Sequence, residues 1–174
     1  LATSGPLRTT ILGVVAANLD AAGWEKFRAQ AQAEKNNLVR AELYQQLGTA
    51  HDENLAKQTL ELALTDEPGA TNSSQIIASV ARTHPDLAFD FAIQNREKVE
   101  PLVDASGRSR YIPELAQRSG SRDIIAKLQD FAERYMTPQS RRPADKAIAA
   151  IKDKIRIRET RLPDISHWLE AHVK

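Results

Sequence analysis

The sequence predicts an all-α fold: an irregular HEAT-like α-solenoid of antiparallel helix pairs. Three observations carry this expectation. Apolar residues recur at helical spacing along the whole chain. Caps, glycines and prolines divide that pattern into roughly ten or eleven helices of about 8–18 residues, joined by loops of about 2–6. No segment of comparable strength reads as a strand. Successive short-looped helices pack as antiparallel pairs, and stacked pairs form a curved solenoid. The absence of a strict internal period disfavours regular tetratricopeptide or ankyrin arrays.

Each helix has its own signals. Ser4-Gly5-Pro6 marks the first start, followed by Leu7, Ile11, Val14 or Val15, and Leu19 at helical spacing. Trp24, Phe27 and Ala31 predict a second helix, ending at Asn36-Asn37. Leu38, Ala41 and Leu43 to Leu47 predict a third, stopped by Gly48, where a positive φ would cost nothing. Asp52 reads as an N-cap for the stripe Ala56, Leu60, Ala63 and Leu64, which runs to the Asp66-Glu67-Pro68-Gly69 turn. A fifth helix starts at Ser73 or Ser74 and carries Ile76, Ile77, Val80 and Ala81. Thr83, Pro85 and Asp86 then read as a capping box for Leu87, Ala88, Phe91 and Ala92. Val99, Leu102 and Val103 continue after Asn95. Ser106-Gly107 breaks the chain before a short helix with Tyr111, Ile112 and Leu115, ended by Gly120. Ser121 caps the clearest stripe, Ile124, Leu128, Phe131 and Tyr135, which Pro138 ends. Pro143 opens a long helix with Ala144, Ile148, Ile151 and Ile155 inward. Leu162-Pro163-Asp164 caps a last helix bearing Ile165, Trp168 and Leu169.

A chain of 174 residues suits a single helical domain over 1–174. It can bury roughly two-thirds of its unfolded surface without disulfide or metal. The lack of cysteine removes thiolate zinc sites, redox pairs and cysteine nucleophiles. No apolar run approaches the ~18–20 residues of a membrane span. A start at Leu1 rather than Met predicts that a longer chain preceded it. The net charge of +1 gives no overall field for nucleic acid, and basic residues do not alternate with aromatics as in a stacking platform. The charge is nonetheless unevenly placed. Residues 1–105 carry 9 basic and 14 acidic side chains, while residues 106–161 carry 14 basic and 7 acidic. Such a split can steer an anionic partner or hold an acidic neighbouring domain, although solvated helix faces also account for most of it.

Catalytic signatures are missing. His167 and His172 stand five residues apart, about 140° around a helix, whereas the zinc-protease motif needs four, with Glu directly after the first His. The second position here is Trp168, so no metal site is expected. There is no nucleophile elbow, phosphate-binding glycine loop or dinucleotide fingerprint. The carboxylate pairs Asp52/Glu53 and Asp66/Glu67 fall at caps and turns, where a helix N-terminus favours negative charge. The remaining candidates are basic. Arg108, Arg110 and Arg118 flank the short helix after Gly107, with Tyr111 among them. Arg141-Arg142 precedes Pro143, and Lys152, Lys154, Arg156, Arg158 and Arg161 line the long helix. Guanidinium forks bind carboxylates bidentately, so Arg108, Arg110, Tyr111, Arg118, Arg141, Arg142 and Arg156 are the candidate contacts for a peptide C-terminus or an acidic domain face.

Four stretches together resemble the C-terminal helical domain of zinc aminopeptidases of the aminopeptidase N and puromycin-sensitive type. Arg40, then Leu43-Tyr44-Gln45-Gln46-Leu47-Gly48, Asp52 and Leu60 to Leu64 follow the family's Arg-x-x-Leu-Leu-x-x-Leu-Gly segment, acidic turn and leucine-rich helix. Ile76 to Ala81, His84-Pro85 and Phe91 to Asn95 follow its next pair. Phe131 to Tyr135 matches a helix before a turn, and Ala147 to Arg158 with Ile165 to Leu169 matches its closing pair. One departure is Ile157-Arg158, where the family often carries a Trp. The resemblance covers nearly the whole chain. It implies a domain that caps the catalytic domain of the same parent chain, encloses a peptide chamber and controls access to it. The zinc, its ligands, the general-base Glu and the Gly-Ala-Met-Glu-Asn segment would all lie upstream, leaving this chain with no cofactor and no catalysis of its own. The alternative is a free-standing HEAT-like scaffold that binds a protein or peptide in its groove. A cap requires an apolar patch where the catalytic domain sits; a scaffold requires polar outer faces on its end helices.

Overall fold

The structure, a computed structural model of the chain, describes residues 5–172. Most of them are helical, with no strand among them. Ser4, expected to open the first helix, lies outside the described residues. The chain forms two compact units, Leu1–Arg108 and Ser109–Lys174. The first holds α1 (Gly5–Ala17), α2 (Ala21–Ala33), α3 (Asn37–Leu47), α4 (Glu53–Ala63), α5 (Ala70–Thr83), α6 (Pro85–Gln94) and α7 (Arg96–Val99), with a 3-10 turn at Glu100–Leu102. Here α3 packs on α1, α2 and α5, and α5 packs on α3, α4 and α6. Helices α3 and α5 are thus the ones on which most others of the unit pack. Trp24, Tyr44, Leu47, Leu60, Ile76, Ile77, Val80 and Phe89 fill the core between them. Burying each such side chain contributes about 1.5–3 kcal/mol before entropy is counted.

The buried indole and hydroxyl of this core are matched. Trp24 Nε1 donates to Thr59 Oγ1 at 3.0 Å, and Thr59 donates to the Leu55 carbonyl at 2.8 Å. Asp52 caps α4 as expected, accepting from the Asn54 and Leu55 amides. Asn36 does not end α2. That helix stops at Ala33, and the Asn36 carboxamide oxygen accepts from the Leu38 and Val39 amides as the N-cap of α3. Leu38, in the first turn of α3, is 83% exposed and takes no part in the core.

Three further expectations are corrected. Gly48 is right-handed, with φ −71° and ψ −7°, so its role is not a positive φ. A Cβ there would stand 2.9 Å from Ser79 Cβ and 3.0 Å from the Val80 nitrogen, so glycine permits α3 to approach α5. The left-handed glycine is Gly69, φ 80°, which starts α5 at Ala70 rather than at Ser73 or Ser74. The Thr83–Asp86 capping box does not form. Thr83 belongs to α5 and donates to the Val80 carbonyl, while Asp86 Oδ1 is buried without a hydrogen bond. Starting α6 at Pro85 also turns Phe89 fully inward and leaves Phe91 half-buried.

The second unit contains α8 (Arg108–Ala116, its first residue closing unit 1), α9 (Arg122–Tyr135), α10 (Arg142–Arg156) and α11 (Leu162–His172). A 3-10 turn at Pro138–Ser140 separates α9 from α10. Ser121 caps α9 as expected, accepting from the Asp123 amide. Ile124, Leu128, Phe131, Ala144, Ala147, Ile151 and Ile155 form the core in which α9 and α10 pack together. Tyr135 ends its stripe exposed, its ring 5.5 Å from that of Phe131. Leu162-Pro163-Asp164 does not start a separate helix. The backbone is helical from Arg142 to His172, with a π-helical segment at Ile157–Arg161. Pro163 has no N–H for the Glu159 carbonyl, and its ring would crowd that carbonyl in an α-helix. The wider turn just before it relieves both demands.

Candidate contact surface

In unit 1 the principal polar cluster joins α2, α3 and the loop after α4. Arg28 grips Glu67 with two nitrogens, at 2.9 Å and 2.5 Å, and its guanidinium lies 5.8 Å from the Trp24 ring centroid. Tyr44 donates to the same carboxylate at 3.2 Å. The hydrogen bond from Arg28 holds the Glu67 carboxyl below the usual carboxylate range, against the opposing effect of burial. Burial, reinforced by the Glu67 charge, pushes the Tyr44 hydroxyl up to about 12. The cluster clips the Asp66–Gly69 turn to the α2–α3 pair.

Glu67→Gln should cost about 1–2 kcal/mol at neutral pH, since the pair is only partly shielded from solvent. Because the folded carboxyl titrates below its unfolded value of about 4.3, the pair's stabilisation is complete above that pH and lost as pH falls through the folded value. Urea unfolding across a pH series should therefore show the gap between wild type and variant closing below about pH 4. A gap that persists unchanged in acid would remove the ion pair as its cause.

The seven candidate contacts do not gather at one point. Arg108 closes unit 1, and its Nε donates to the Val103 carbonyl at 3.0 Å. Arg110 is exposed on α8, and Tyr111 beside it is half-buried, its hydroxyl pushed up by burial. Arg118 is exposed just after α8, and its carbonyl accepts from Lys154 Nζ. Arg142 is exposed at the first position of α10, while Arg156 near its end pairs with Asp153 at 2.6 Å. Arg141 is set apart by its surroundings. It is half-buried at the mouth of a 390 Å³ groove between α9 and α10, with Gln129, Glu133, Asp145 and Lys152 on the rim and Ala132, Ile148 and Ala149 below.

The acids of that groove, Glu133 and Asp145, are not among the seven basic and aromatic candidates. A signal for part of it existed: Arg141, Asp145, Ile148 and Lys152 lie on one face of α10 at helical spacing. The groove thus carries charges of both signs, Glu133 from α9 and Arg141, Asp145 and Lys152 from α10 and its N-cap. Among the described residues no group of three or more His, Asp or Glu is placed to hold a metal ion. His172 instead stacks on Trp168 with ring centroids 4.5 Å apart, and His84 Nε2 lies 2.9 Å from the Ala50 carbonyl. Among the described residues no helix is long and apolar enough to cross a membrane.

The described residues form an all-α fold of packed helices. Residues 2–153 match the family model of the ERAP1-like C-terminal domain, and the chain belongs to that family, the C-terminal domains of enzymes of the aminopeptidase N type. No curated protein sequence matches it.

Proposed function

We propose that the chain caps the catalytic domain of a zinc aminopeptidase, enclosing the peptide chamber and limiting which substrates enter, and performs no chemistry itself. The family match supports the aminopeptidase context. The observation that carries the capping role is α1, whose Leu7, Ile11, Val14 and Val15 are all exposed while, among the residues of that helix whose burial is described, only Ala16 is buried. An end helix with an apolar outer face fits a domain continued by another; a free-standing scaffold would place polar residues there. Zinc would be held elsewhere in the parent. The donors here do not fit it, since His172 is occupied with Trp168 and His167 points about 140° away around the helix. A closing cap excludes water and positions the peptide, and its opening gates release. Exposed Arg110, Arg118 and Arg142, with Arg141 in its groove, supply guanidinium forks for peptide carboxylates or for the catalytic domain.

The test compares the parent aminopeptidase with and without residues 1–174, on a single-residue chromogenic amide and on a series of longer peptides. The expected result is that deletion changes the ratio of long-peptide to short-substrate kcat/KM, and that the isolated chain turns over neither, with or without zinc. An unchanged ratio overturns the capping role. Turnover by the isolated chain overturns the non-catalytic reading.

A further inference from the structure

Within the second unit, the turn between α8 and α9 lies against the C-terminal end of α10, and the contacts there gather cations. Lys154 Nζ donates to the Arg118 carbonyl. Arg158 Nη1 lies so near Gly120 that a Cβ there would stand 3.3 Å from it. Arg122 pairs with Glu159 at 2.6 Å. Arg118, Arg122, Lys154 and Arg158 are all exposed. Glu159 is taken up by Arg122, and Lys154 by a carbonyl. Among the described residues no acid is paired with Arg118 or Arg158. By contrast, Arg134 and Arg156 each hold an acid of their own helix, Asp130 at 2.7 Å and Asp153 at 2.6 Å.

We propose that this basic patch docks an acidic segment of a partner protein, Arg118 and Arg158 each taking one of two neighbouring Asp or Glu carboxylates. A guanidinium fork grips a carboxylate through two parallel bonds. The Arg158 fork lies against Gly120, two residues from Arg118, so two uncommitted forks share one turn. The Arg122–Glu159 pair shows a carboxylate already held in the patch. A nucleic acid fits less well. Asp123, Asp153 and Glu159 are exposed and adjoin these bases in sequence, and they repel a continuous run of phosphates, whereas two separate carboxylates can be placed between them. Exposed charges of this kind act chiefly by steering, so the binding is weak and falls as salt rises. The patch is defined by contacts inside the second unit, and the inference stands without the capping role.

Fluorescence anisotropy on the 174-residue chain tests it, with a labelled peptide carrying several glutamates, its glutamine counterpart and an oligothymidylate of the same charge as the first. The glutamate peptide should bind at low salt and lose affinity as salt rises, and the glutamine peptide should not bind. Arg118→Glu with Arg158→Glu should weaken binding roughly tenfold or more. Arg118→Gln with Arg158→Gln, which reverses no charge, should weaken it roughly three- to fivefold. Arg134→Glu with Lys146→Glu makes the same change of net charge about 18 Å away along the two helices, and should weaken binding by less than about twofold. Circular dichroism should show unchanged helix content in every variant. The proposal is overturned if the glutamate peptide does not bind, or if the distant reversal weakens it as much as the reversal at the patch. It is equally overturned if the oligothymidylate or anionic vesicles bind more tightly than the peptide through the same two arginines. Self-association in sedimentation that the Arg118→Glu, Arg158→Glu pair abolishes would assign the patch to a second copy and overturn it as well.

Discussion

Replacing Trp24 by alanine is expected to remove about 4 kcal/mol of stability, a large part of what a domain of this size commands. The indole is wholly buried at the crossing of α2 with α3 and α4, and no smaller side chain fills that volume. Three contributions are lost at once: the buried ring, the Nε1 bond to Thr59, and the ring face beneath Arg28. Trp24→Phe separates them. It keeps most of the apolar volume and loses the hydrogen bond, so it should cost about 1–2 kcal/mol. Urea unfolding followed by far-ultraviolet circular dichroism measures both. A loss below 1 kcal/mol for the alanine variant would mean that the core collapses around the gap, contrary to the packing described.

Gly48→Val should cost about 3 kcal/mol for the opposite reason, excess rather than missing volume. The new Cβ would meet Ser79 Cβ at 2.9 Å, the Val80 nitrogen at 3.0 Å and the Ile76 carbonyl at 3.1 Å. Two of these are backbone atoms, so α5 must move away from α3. That movement also breaks the bond from Ser79 Oγ to the Gln45 carbonyl, 2.6 Å long. Gly69→Ala is the informative contrast. Its site is open, so any loss, expected near 1 kcal/mol, reflects the left-handed φ of 80° alone. Thermal unfolding of the three proteins side by side ranks the effects. A Gly48 variant no worse than the Gly69 variant would show that α3 and α5 are free to separate.

The helices were legible in the sequence because 3.6-residue periodicity is a direct imprint of one-sided burial. Asp52 and Ser121 were readable as caps for a similarly local reason: a short oxygen-bearing side chain before an apolar stripe has few other uses. Boundaries decided by the next helix were harder. Whether Asn36 ends α2 or starts α3, and whether Thr83 caps α6 or completes α5, depends on which backbone amides the neighbouring turn leaves open. Gly48 had the right identity for a reason that only the α3–α5 distance reveals. The contact surface was half legible. Arg141 stood out by its charge, but Glu133 comes from α9, and no pattern within α10 announces a partner across a groove.

The π-helical segment has a consequence for phase. Ala144, Ala147, Ile151, Ile155, Leu162, Ile165 and Leu169 follow one helical spacing, interrupted only by Arg158, as though a single stripe ran along one straight rod. A π turn takes in about one residue more than an α turn, which rotates everything after it by roughly 100°. The stripe is thereby cut into two bearings: the first half faces α9, and the second points elsewhere. One backbone irregularity gives a single written pattern two addresses, so deleting one residue between Ile157 and Arg161 together with Pro163→Ala would turn α11 back into line and erase the second address without changing any side chain of the stripe.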